Sequence, residues 1–77
     1  MNIHVGNLSP HTSLSTLRGW FEVFGRVTDV TISTFRIHGE MKAQGFVDMP
    51  SGTHAQAAIA GLEGKELGGT QLSVRKD

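Results

Sequence analysis

The stretch MKAQGFVDM, Met41 to Met49, decides how this chain is read. Successive side chains of a strand point to opposite faces, so Ala43, Gly45, Val47 and Met49 share one side and Lys42, Gln44, Phe46 and Asp48 the other. The first side suits a core. The second is polar apart from Phe46, which marks a strand with one wet face and a ring set among the wet residues.

Working outward, the same alternation returns upstream in RVTDVTISTF, where Val30 and Ile32 point inward and Thr31 and Ser33 outward, with β-branched residues throughout. Between these two strands RIHGEMK, with Gly39 and charged neighbours, predicts a hairpin carrying a long, mobile loop. At the start of the chain NIHVG, residues 2 to 6, alternates around Ile3 and Val5, and Asn7, Ser9 and Pro10 supply turn chemistry. From Thr12 or Ser13 as N-cap, Leu14, Leu17, Trp20, Phe21 and Phe24 recur at helical spacing, and Gly25 ends the run. Gly19 inside this helix costs about 1 kcal/mol against alanine, and a close packing contact is the expected reason for it.

Downstream, THAQAAIAGL sets Ala55, Ala58, Ile59 and Leu62 on one helical stripe. KELGGTQLSVRK then gives a glycine-marked turn and a last strand, Leu72 and Val74 inward, Gln71, Ser73 and Arg75 outward. The element order is βαββαβ. Two split βαβ halves with right-handed crossovers predict an α+β, ferredoxin-like fold: a four-stranded antiparallel sheet, first and third strands central, both helices on one face. At 77 residues the chain is expected to be a single domain, residues 1–77.

Composition narrows the function. Cysteine is absent, which removes disulfides, thiolate catalysis and cysteine-containing metal sites. His11, His38 and His54 are scattered without the i, i+4 spacing of a helical metal site, so no metal and no cofactor are expected. No serine, histidine and acid set is readable, and GKELGG is not a GxxxxGK phosphate loop, so an enzyme is not expected. MNIHVGNL shows neither a secretory signal nor a membrane span, and a soluble cytoplasmic protein is the expectation. Seven Lys and Arg balance seven Asp and Glu, so any nucleic-acid binding must rest on local charge and stacking.

The hexamer IHVGNL, Ile3 to Leu8, followed by KAQGFVDM, Lys42 to Met49, resembles the two signature motifs of the RNA recognition motif family. LRGWFEVFGRV, Gly39 in the hairpin and AAIAGLEGKELGG are similar to the family as well, so the resemblance covers nearly the whole chain, and small single-domain bacterial members look most similar. The resemblance implies single-stranded RNA as partner, single-stranded DNA as an alternative, and bases stacked on aromatic side chains of the open face. Of the three positions where the family usually has rings, this chain carries His4, Gln44 and Phe46, and Ala43 replaces a usual glycine. A lost stack lowers affinity, so a weak or loosely specific binder is expected.

Phe46 and His4 are therefore the expected stacking residues. Gln44 is either a solvated strand residue or an amide reading a base edge. Lys42 and Arg75 at strand ends either meet phosphates or act as solubilising edge charges. Arg36, in the expected hairpin loop, is a candidate backbone clamp, and Asn7 binds either the turn backbone, the commoner role, or a base. Trp20 stands where the family usually has a small residue and is either core or a contact patch; Phe35 either extends the platform or joins Ile37 in a protein-contact patch. The neutral charge and the missing ring favour a second reading, a domain of the same fold that binds a protein partner or itself through a degraded RNA surface. A small ferredoxin-like enzyme is a remote third, without an identifiable catalytic set.

Overall fold

The computed structural model describes residues 1–77. Four strands, β1 (Asn2–Leu8), β2 (Asp29–Ile37), β3 (Glu40–Asp48) and β6 (Ser73–Lys76), form one sheet in the order β2-β3-β1-β6, so the first and third strands are central. All pairings are antiparallel. Helices α1 (Leu14–Glu22) and α2 (Gly52–Leu62) complete the ferredoxin-like arrangement, and a short hairpin of β4 (Glu66–Leu67) and β5 (Thr70–Gln71) precedes β6.

Each helix begins where a serine can satisfy its free amides. Ser13 Oγ accepts from Thr16 N at 3.1 Å and Ser51 Oγ from His54 N at 3.2 Å, the exchange that makes serine a favoured N-cap. Leu17 and Phe21 of α1 and Ala55, Ala58 and Leu62 of α2 are buried against Ile3, Val5, Leu8, Ala43, Val47, Met49, Leu72 and Val74 of the sheet side. Every member of this core is apolar. Gly45 sits under α1, and a Cβ there would lie 2.7 Å from Leu17 Cδ2 and 3.0 Å from Leu8 Cδ1. Its missing side chain lets the helix approach the central strand.

Four local expectations are corrected. The loop over Arg36 to Lys42 is instead strand on both sides of a two-residue turn, because His38 (φ 51°) and Gly39 (φ 80°) both take positive φ, the geometry of a tight turn that matches strand twist. The first strand runs on to Leu8. A bulge between Val5 and Leu8, with Asn7 at φ 61°, flips the alternation so that Leu8 returns to the core. Gln71 pairs with Glu66 in the small hairpin rather than lying outward on the last strand. Gly19 has nothing within 4 Å of where a Cβ would stand, so no close contact accounts for it.

β6 is an edge strand, and Glu63 Oε2 accepts from its Val74 N at 3.0 Å. This occupies a backbone donor that an exposed edge would otherwise present.

Candidate nucleic-acid interface

No helix covers the second face of the sheet, and cross-strand register orders its side chains into rows. Arg75, His4, Phe46 and Thr31 stand opposite one another across four strands. Along β3 the next rows pair Gln44 with Ser33, Lys42 with Phe35, and Glu40 with Ile37. Alternation of single residues thus becomes a continuous surface centred on Phe46.

The centre is built from three interacting side chains. The His4 and Phe46 ring centroids lie 5.3 Å apart with planes tilted by 59°, within the range of favourable aromatic pairs. His4 Nε2 lies 3.0 Å from Gln44 Oε1. Both contacts are long-range in sequence, so they hold β1 and β3 side chains in one fixed cluster. All three are half-buried, which leaves ring and amide surface open to a ligand.

The cations stand at the margin of this cluster and are partly occupied. Lys42 Nζ is 3.2 Å from Glu40 Oε2, two residues away on the same face. Arg75 Nη2 donates to Ser73 Oγ at 3.0 Å. An exposed ion pair such as Lys42–Glu40 contributes little, about 0–1 kcal/mol, so Lys42 is held only loosely.

Two expected site residues are not brought to this surface. Arg36 is a β2 residue paired with Met41, and strand alternation turns it to the opposite side from Thr31, Ser33 and Phe35. Its guanidinium approaches Gly39 O at 3.5 Å, within the hairpin it closes. Asn7 Nδ2 donates to Gln71 O at 2.8 Å, so its amide ties the β1 bulge to β5, a backbone partner distant in sequence rather than the turn that follows β1.

Phe35 and Ile37 are exposed on the platform side of the hairpin, and Met41 is exposed on the other. Trp20 is half-buried against the core and lines a shallow groove with Val23, Phe24, Leu62 and Leu67 on the helical side. Thr31, Ser33 and Ser73, which strand parity puts on the wet face, complete this surface. The Glu40–Lys42 and Ser73–Arg75 contacts join residues two apart on a strand, the spacing that puts side chains on one face.

No group of three His, Cys, Asp or Glu side chains converges anywhere in a geometry for a metal ion. No helix is long and apolar enough to cross a membrane.

The profile of the RNA recognition motif family matches residues 3–73. RbpA of Nostoc sp. strain PCC 7120 is 41% identical over 76 residues, 99% of this chain and 74% of its own length. Glycine-rich RNA-binding protein 1 of Mycosarcoma maydis is 36% identical over 72 residues, 94% of this chain and 41% of the relative. Among solved structures, RNA Binding Protein PG1 superposes with a TM-score of 0.88 at 35% identity, covering all of this chain and 93% of the other.

Proposed function

This chain belongs to the RNA recognition motif family, and from that premise we propose that it binds single-stranded RNA across the open face of its sheet, by base stacking and without catalysis. The observation that carries the reading is the half-buried His4–Phe46 ring pair at the centre of an uncovered face. Family members splay bases onto aromatic side chains at this place, and imidazole is among the rings that serve. Phe46 takes the principal base and His4 its neighbour. Lys42 and Arg75, released from Glu40 and Ser73, meet phosphates, Arg75 at one end of the Phe46 row and Lys42 farther along β3.

Arg36 has no part in this reading, because alternation turns it away from the face; Asn7 acts by fixing the β1 bulge. With two rings and two cations the surface suits a loosely specific binder, and single-stranded DNA is its natural competitor. The exposed Phe35 and Ile37 favour one second reading, contact of the hairpin tip with a protein or another copy of the chain.

Titration of isotope-labelled protein with short single-stranded RNA pools distinguishes the two. Saturable amide shifts centred on His4, Gln44 and Phe46 are expected. Their absence, with shifts at Phe35 and Ile37 that grow with protein concentration, would overturn the RNA reading in favour of self-association.

A further inference from the structure

Gln44 occupies the middle of the open face, and its amide is engaged on one side only. Oε1 lies 3.0 Å from His4 Nε2. A carbonyl oxygen can only accept, so the imidazole nitrogen that faces it is the donor, as in the Nε2–H tautomer and the imidazolium. With Oε1 turned to the imidazole, the NH₂ is the end of the amide that faces away from His4. The Phe46 ring also lies against this imidazole, with centroids 5.3 Å apart.

The free end is the Nε2 amide group, which has no protein acceptor. It is not starved of solvent either, since the one buried side-chain polar atom without a partner is Thr70 Oγ1. Gln44 thus presents free donors on the same face as Phe46 and opposite Ser33. The nearest cation along the strand, Lys42, is also a donor only.

We propose that Gln44, turned toward His4 by its carbonyl, is a specificity-determining donor that reads position 4 of a pyrimidine stacked on Phe46, favouring the O4 of uracil over the amino group of cytosine. The inference rests on the RNA-binding reading and adds a base class to it. Uracil and cytosine have rings of the same size, so stacking on Phe46 treats them alike. They differ at position 4, where uracil carries an oxygen acceptor and cytosine an amino donor. An amino group facing the Gln44 NH₂ leaves both donors unpaired, which is the more costly arrangement.

The test compares oligouridine with oligocytidine of equal length by fluorescence anisotropy, at one fixed pH and salt concentration. Wild-type protein is expected to bind oligouridine roughly three- to tenfold more tightly, the range of one net hydrogen bond. In Gln44→Met, which keeps length and loses the donor, the ratio falls to about one. In Gln44→Glu, which offers acceptors only, the order reverses. Circular dichroism of both variants checks that the fold is retained. Equal binding of the two oligomers by wild type, tighter binding of oligocytidine, or an unchanged ratio in Gln44→Met would overturn the inference while leaving RNA binding intact. Failure of wild type to bind either oligomer would overturn the RNA reading itself.

Discussion

Phe46 and Gly45 are neighbours in sequence whose substitution acts on different quantities. Phe46 is on the open side and outside the core, so Phe46→Ala is expected to weaken RNA binding by about 1–3 kcal/mol, the cost of one lost base stack, with little change in thermal midpoint. Anisotropy and a melting curve on the same sample measure both. Gly45→Ala acts the other way round. Its Cβ meets Leu17 Cδ2 at 2.7 Å and Leu8 Cδ1 at 3.0 Å, and overpacking of this kind costs about 1–3 kcal/mol of stability, read by urea denaturation. The part of the site that was legible in the sequence is the part that parity decides: His4, Gln44 and Phe46 lie where alternation and the family motifs put them. The Gln44 carbonyl facing His4 was not legible, because a hydrogen bond between residues forty apart leaves no local trace.

At the scale of elements, strands and helices followed their periodicities, and the misreadings cluster where a few backbone angles decide. Gly39 and its charged neighbours suggested a long loop over Arg36 to Lys42. Two positive φ angles, at His38 and Gly39, instead close the hairpin tightly and carry β2 to Ile37. With that single change Arg36 turns away from the open face, while Phe35 keeps the platform-side position that strand parity gives it. A non-glycine residue in this region is unusual, and asparagine tolerates it better than histidine-sized rings do in a turn of this type. His38→Asn is accordingly expected to raise the thermal midpoint slightly. Gly39→Ala, forced to hold φ near 80°, is expected to lose about 1–2 kcal/mol, which chemical denaturation detects. The bulge at Asn7 is a second such place, for strict alternation would have turned Leu8 out to solvent.

Taken whole, the molecule carries formal charges that cancel, with seven basic and seven acidic side chains. Its platform offers two cations, each already near an oxygen of its own chain. Long-range attraction of a polyanion is therefore slight, and affinity must come from contact. Each phosphate neutralised on a single strand contributes roughly 0.7 to the dependence of log affinity on log salt, so two contacts give a slope of about −1.4. Titrations across a range of salt concentrations measure it, and a much steeper slope would mean that stacking is not the main source of binding.

The lone tryptophan is on the other side of the sheet from all of this. Trp20 packs half-buried beside Phe24 and Leu67, where α1 meets the rest of the fold. The protein thus contains an optical reporter that is separated from the ligand surface by the thickness of the core. Its emission is expected to track unfolding and to stay nearly silent when RNA is added, if the proposed platform is where RNA binds, so one cuvette can tell loss of fold from loss of binding without a label.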